Sequence, residues 1–312
     1  MISIQQMQYI LVLSEQKQFQ RASELCFVTQ PTLSMQVKKA EDDLGYLIFD
    51  RSKNPIELTS YGVNLIPLIR DVLNETGKIE VLTKKFKGIY KEQVRIGIIP
   101  TIASYLVPDM FALWHEKLKG IQLLILEQKT DELLVSLERK ELDMAIIAGP
   151  YNDSKMRTIP LFKEEILAFC PSIKTKTIES NDLIDLHPWL LSKGNCLRTQ
   201  MIQFCEIKED NETDSWNYEG GNIELLMKMV ELNGGYTLVP KNYNLNEFQR
   251  QQLKSIKTSN STDECVPARE IIAISPNKSL KWNSLDTLIR EIQVNYNNNK
   301  QDSKMNVLNW NS

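Results

Sequence analysis

From about residue 92 the chain alternates strand, helix, strand, helix, strand. "VRIGIIP", "LLILEQ" and "DMAIIAG" are apolar runs of strand length, and helical patterns at 102–118 and 131–141 lie between them. Strands joined through helices run parallel, and a parallel sheet must be covered on both faces. This predicts an α/β domain. "EILAFC" at 165–170 opens a second unit of the same kind, with "ELLMKMVELNGGYTLVP" supplying a helix, a Gly-Gly stop and a strand. "EIIAIS" at 270–275 adds another strand and "LDTLIREIQVNY" a closing helix. The polar end from Asn297 reads as disordered, with 303–312 as a tail beyond the domain.

The first 60 residues follow a different grammar. "FQRASELCFVTQPTLSMQVKKAEDDLG" gives two helical runs broken near 27–29. Thr29 is a good N-cap, and Pro31 sits in the first turn, where its missing N–H does no harm. Leu33 and Val37 then face inward, leaving Gln30, Thr32, Ser34, Gln36 and Lys38 outward. "IFDRSKNPIELTSYG" reads as a strand, a turn at 52–55 and a second strand at 56–59, which makes a wing after a helix-turn-helix. Residues 60–88 carry Leu65, Ile69, Val72, Thr76, Ile79, Thr83 and Phe86 at heptad-like spacing, the mark of a pairing helix.

Net charge is −3, and the first 60 residues hold six Lys/Arg against seven Asp/Glu. A DNA-binding role therefore rests on where charges sit, not on their sum. Gln36 is suited to adenine and Thr32 to a thymine methyl. Lys38, Lys39, Arg51 and Lys53 supply local positive charge, and the free N–H groups at the helix start suit a phosphate. The N-terminal residues lack a basic start and long apolar run, and no stretch suggests a membrane span. A cytoplasmic chain with reduced thiols is the expectation. Zinc is disfavoured by the absence of a C-x2-C pair and by only two histidines, His115 and His187.

"GNCLRTQMIQFC", from Gly194 to Cys205, holds two of five cysteines. Asn195 is placed to cap a helix over 196–204. Nine helical residues rise about 13.5 Å and turn about 900°, so the two thiols would lie on opposite faces. A disulfide needs Cα atoms about 4.4–6.8 Å apart. Helix and bond exclude each other, which is the condition for a switch. Cys196 lies at a helix N-terminus, where the dipole favours a thiolate, and Arg198 adds positive charge. Cys196 would then take the oxidant as sulfenic acid and Cys205 resolve it. The other reading makes both thiols small buried hydrophobes, as Cys26, Cys170 and Cys265 are read.

The stretch from Phe19 to Gly62 resembles the DNA-binding domain of LysR-type transcriptional regulators. Their Ala-Ala-x-x-Leu, Ser-Gln-Pro-(Ala/Thr)-Leu-Ser, Glu-x-x-Leu-Gly-x-x-Leu-Phe-x-Arg and Leu-Thr-x-x-Gly patterns correspond to 21–25, 29–34, 41–51 and 58–62. The resemblance implies a winged helix-turn-helix at 1–60, a linker and dimerisation helix at 61–90, and a regulatory domain at 91–302. That domain would be periplasmic-binding-protein-like, with subdomain I at 91–165 and 267–302 and subdomain II at 166–266. DNA contacts fall to Thr29, Gln30, Pro31, Thr32, Ser34, Gln36, Lys38, Arg51 and Lys53. A second Arg is frequent in the family where Asn54 and Pro55 stand.

The sensor segment is similar to that of the peroxide-responsive members, whose pattern is Gly-His-Cys-Leu-Arg-Asp-Gln followed by Phe-Cys. Cys196, Leu197, Arg198, Gln200, Phe204 and Cys205 match, and the likeness runs from about residue 2 to 295. It implies a peroxidatic Cys196, a resolving Cys205 and a hydrogen peroxide pocket containing Thr101, Thr130 and Arg269, beside Arg198 and Asn195. It also implies a homotetramer (a dimer of dimers) on double-stranded DNA, RNA polymerase as partner, reset by a thiol reductant system, no cofactor, and no enzymatic turnover. Asn195 stands where these members have His, and Thr199 where they have Asp, which points to slower oxidation or another oxidant. Thr101 and Thr130 each follow a strand, where α/β crevices form. Helix capping is the other reading for both, and a surface salt bridge for Arg269. Two alternatives stand: a regulator that binds a small metabolite between the subdomains, and a thiol peroxidase. The second leaves the first 90 residues without a purpose.

Overall fold

A computed structural model describes residues 1–87, 92–205, 207, 220–257, 266–277, 281–297 and 305–307. The chain divides into two units, 1–90 and 91–312.

The first unit opens with α1 (Ile4–Gln16), α2 (Phe19–Leu25) and α3 (Gln30–Leu44). Ser3 and Gln6 exchange side chain-to-backbone hydrogen bonds in a capping box at the start of α1. α3 begins where Thr29 Oγ1 accepts the Thr32 N–H, and it stops at Gly45, whose φ of 75° few other residues adopt. β1 (Phe49–Asp50) and β2 (Glu57–Leu58) pair antiparallel as the wing. Glu41 anchors the base of the wing from inside α3. Its buried Oε1 accepts the N–H groups of Ile48 and Phe49, and Oε2 accepts Arg51 Nη2 at 2.7 Å. Tyr9, Ile10, Leu13, Leu33, Val37, Ile48 and Phe49 fill the core.

α4 (Ser60–Phe86) is the long helix. The seam expected along it divides. Ile69 is buried in the unit's own core with Leu65 packed against it, because a domain this small needs the first turns of α4 to close over its apolar face. The exposed apolar stripe is instead Leu68, Val72, Ile79, Leu82 and Phe86.

In the second unit β3 (Gln93–Ile98), α5 (Pro100–Lys117), β4 (Gln122–Glu127), α6 (Thr130–Glu138) and β5 (Met144–Ala148) alternate. The three strands are parallel in the order β4-β3-β5. Then β6 (Met156–Phe169) runs out of this lobe. After it come β7 (Thr177–Glu179), α7 (Cys196–Phe204), α8 (Ile223–Asn233), β8 (Thr237–Pro240), α9 (Glu247–Gln251) and β9 (Leu253–Lys257). β10 (Val266–Pro276) returns antiparallel along β6, and α10 (Trp282–Tyr296) closes the first lobe. The second lobe is therefore not the parallel repeat its sequence suggested. β8 and β9 both pair antiparallel with β6, while β7 and β9 are parallel. The reason is that β6 is shared: it enters from the first lobe, and the chain has to come back alongside it.

Each lobe has its own core. Val94, Ile96, Ile98, Trp114, Met144 and Leu288 lie in the first, and Ile166, Phe169, Leu226, Tyr236 and Leu238 in the second. Along β6 the core changes between Phe162 and Ile166. One expectation needs correction. Within the tail expected to be disordered, β11 (Met305–Val307) pairs in parallel with Val266–Ala268 of β10. An open strand edge offers unpaired N–H and C=O groups, and Met305 and Val307 are apolar enough to lie against it. The tail residues 303–304 and 308–312, and Cys265, lie outside the described residues.

Gly62 accounts for the glycine of the Leu-Thr-x-x-Gly stretch. A Cβ there would collide with the Ile48 carbonyl oxygen, while one at Gly77 meets open space. Gly62→Ala should destabilise the first unit by about 1–3 kcal/mol through overpacking. Gly77→Ala should stabilise α4 by up to about 1 kcal/mol. Thermal melts followed by helical circular dichroism separate the two.

Candidate functional site

The turn into α7 is set by Gly194, whose φ is 83°. Cys196 is the first residue of that helix and Cys205 caps its end. The nine-residue helix is intact, and both cysteines are free. Asn195 stands at the N-cap position but makes no side-chain cap. Its amide donates instead to Ser192 O at 2.9 Å and Ser192 Oγ at 3.0 Å, so it braces the loop. Arg198 turns away to donate to the Leu191 carbonyl at 2.9 Å.

The two thiols lie in different cores. Cys196, 5% exposed, packs into the core of the first lobe, and Cys205, 6% exposed, into that of the second. Joining them requires at least one sulfur to leave its core. Burial pushes the Cys205 thiol up to about 11, and the Tyr236 hydroxyl offsets this only in part.

Around Cys196 the structure gathers three of the residues expected there. Thr130 Oγ1 lies 3.1 Å from Cys196 Sγ, both groups buried. Thr130 is the first residue of α6, and Thr101 the second of α5. Their hydroxyls are engaged by Cys196 and Arg269 rather than in capping. Arg269 is no surface residue. It is wholly buried, donating from Nη1 to Thr101 Oγ1 at 2.9 Å and from Nη2 to Thr101 O at 3.1 Å. Its Nε donates to Glu164 Oε1 at 2.7 Å, and Tyr105 donates to the same oxygen at 2.8 Å. Burial opposes the charge on Arg269. The Glu164 carboxylate, Tyr105 and Cys196 together outweigh it and hold the guanidinium above its ordinary pKa.

Glu164 and Tyr105 were missed in the sequence, and Gln200 was matched to the sensor pattern but given no role. Glu164 carried a signal, a place among three consecutive charges, Lys163 to Glu165, between apolar stretches of one strand. Tyr105 is four residues beyond Thr101. Gln200 lies four residues beyond Cys196, on the same helix face. Gln200 is fully buried, and neither polar atom of its amide has a partner among the described residues. A small polar molecule next to Cys196 could use both atoms.

In the first unit, α3 leaves Gln30, Pro31, Met35, Lys38 and Lys39 exposed. Thr32 is tied to Thr29 by a 2.8 Å hydroxyl contact, and Gln36 is half-buried, accepting from Gln6 Nε2 at 3.3 Å. Ser34 is half-buried and Lys53 exposed. Arg51 pairs with Glu41 and lies 5.5 Å over the Phe19 ring. Among the described residues no helix is long and apolar enough to cross a membrane, and no cluster could hold a metal ion.

Known families match both units. The LysR substrate binding domain matches residues 88–293, and the bacterial regulatory helix-turn-helix of the lysR family matches residues 4–63. The chain belongs to the LysR family. The LysR chain is 30% identical to the hydrogen peroxide-inducible genes activator of Haemophilus influenzae, over 82% of this chain and 85% of that one. It is also 30% identical to the DNA-binding transcriptional dual regulator OxyR of Escherichia coli, over 77% and 79%. Among solved structures, a full-length OxyR variant from Pseudomonas aeruginosa superposes with a TM-score of 0.69 at 28% identity, covering 94% of this chain and 98% of that one. Reduced OxyR from Porphyromonas gingivalis superposes at 0.59 with 26% identity, over 69% and 100%. The fold is thus a helix-turn-helix unit followed by a two-lobed α/β regulatory unit.

Two outcomes follow from this geometry. Removing Glu164 strands a buried cation, so Glu164→Leu should destabilise the regulatory unit by about 3–5 kcal/mol in urea denaturation. Folded protein treated with iodoacetamide should leave Cys205 unmodified at pH 7–9. Its alkylation, mapped by mass spectrometry, should rise only as pH approaches the raised value of about 11. The sign is that of a buried neutral thiol: the folded state holds the proton through the ordinary thiol range, and stability falls as pH climbs towards 11.

Proposed function

We propose that this LysR regulator is a cytoplasmic sensor of hydrogen peroxide that works through a reversible Cys196–Cys205 disulfide and controls oxidative-stress genes. The observation that carries the reading is that Cys196 meets Thr130 at 3.1 Å at the head of α7 while Cys205 is buried in the other lobe's core. The peroxide-responsive relatives support it.

The chemistry balances without a cofactor. The Cys196 sulfur attacks one peroxide oxygen, an S–O bond forms, the O–O bond breaks, and the departing oxygen leaves as water with a proton. Thr101, Thr130 and the Arg269 guanidinium supply donors for the peroxide oxygens, and the free Gln200 amide a further donor and acceptor. Cys205 then attacks the sulfenic sulfur, an S–S bond forms, and a second water leaves. Two thiols and one peroxide give one disulfide and two waters. Because α7 spans about 13.5 Å, the second step needs the helix to unwind. A thiol reductant returns two hydrogens and lets it re-form.

At the other end, α3 enters the major groove with its starting N–H groups at a phosphate. Thr29, Gln30, Pro31, Thr32, Ser34, Gln36 and Lys38 provide contacts from the helix, and Arg51 and Lys53 from the wing. The exposed stripe of α4 pairs two chains, and two such dimers form the tetramer that meets RNA polymerase.

Mass spectrometry before and after one equivalent of peroxide tests the redox step. The expected result is loss of two hydrogens, mapped to a peptide linking 196 and 205, together with sedimentation as a tetramer. A protein with both cysteines changed to Ser should lose its response to peroxide in a promoter assay. An unaltered response would point to a metabolite bound between the lobes.

A further inference from the structure

The recognition helix carries an apolar side chain where polar readers were expected. In α3 the buried stripe is Leu33, Val37, Ala40 and Glu41. At 100° per residue Met35 falls opposite the middle of that stripe. It is 60% exposed, with Pro31, Lys38 and Lys39 around it on the same face. Lys38, Lys39 and the carboxylate of Asp42 share this exposed face, but no neutral hydrogen-bonding side chain stands free at its centre. The Thr32 hydroxyl is held by Thr29, and Gln36 lies to one side, accepting from Gln6.

A helix docked in the major groove presents the centre of its outward face to the base edges. A thioether donates no hydrogen bond and accepts only weakly, so it gains little from the polar edges of guanine, adenine or cytosine. The one apolar feature on the major-groove edge is the thymine 5-methyl. The unbranched, polarizable methionine chain adapts to such a contact, and the flanking lysines suit the phosphates on either side. We propose that Met35 reads a thymine methyl group, so that the operator is selected for thymine at the step facing the middle of α3. The inference rests on the DNA-binding part of the reading above and goes beyond it by naming the base and the residue that selects it.

The test uses purified full-length protein and a pool of duplexes with a randomised centre, at one fixed salt concentration. After sites are enriched, each thymine is replaced in turn by deoxyuridine, which removes only the methyl. At one thymine per half-site the replacement should weaken wild-type binding about fourfold, the effect of leaving one methyl-sized group unburied. Met35→Ala should bind the thymine and uracil duplexes alike at that position and keep whatever discrimination exists elsewhere. Met35→Gln should move the selected base towards adenine. Circular dichroism checks that both variants fold, as an exposed position allows. The proposal is overturned if no uracil replacement weakens the wild type, or if Met35→Ala retains the same discrimination. Failure to enrich any duplex overturns the DNA-binding reading with it.

Discussion

A buried ion pair ties together the two strands that carry both lobes of the regulatory unit. Arg269 on β10 and Glu164 on β6 are register partners, and both side chains are fully buried. Two charges in such a place are costly unless each is paired and hydrogen-bonded. Here Glu164 receives Arg269 and Tyr105, and Arg269 reaches on to Thr101 at the start of α5. The pair therefore fixes β6, β10 and α5 in one geometry. Since β6 and β10 are the strands common to both lobes, it also fixes the frame in which Cys196 meets Thr130.

On that frame the sensor segment is held by competing burial. α7 begins in the core of one lobe and ends in the core of the other. Each thiol gains from its own apolar surroundings, and the helix between them gains its backbone hydrogen bonds. The hydrogen bonds of Arg269 go to Thr101 and Glu164, both outside α7.

The DNA-binding unit shows the same economy. Glu41 commits both carboxylate oxygens to the wing, so Arg51 is fixed by an ion pair while its side chain still reaches the surface. The first turns of α4 complete the core, and only the farther turns expose an apolar stripe along their length. A residue that a motif marks as functional can thus also hold structure.

Local rules made much of this legible. Thr29 with Pro31 and the apolar periods placed α3, and α7 was read over 196–204 from Asn195, which braces the loop instead of capping the helix. β5 was readable because a parallel strand buried on both faces is a continuous apolar run, and β3 and β4 because their apolar runs alternate with helical patterns. Long-range facts were not readable. No local pattern says that β6 is shared by two lobes, that Arg269 faces Glu164 across 105 residues of chain, or that Met305 and Val307 lie beside β10. The sequence by itself determined the elements, their order and the cysteine pair, because helix and strand periods and capping chemistry act within a few residues. The tertiary structure alone decided which charges are buried, which core each thiol enters and which face of α4 is left outside, because burial depends on neighbours brought from far along the chain.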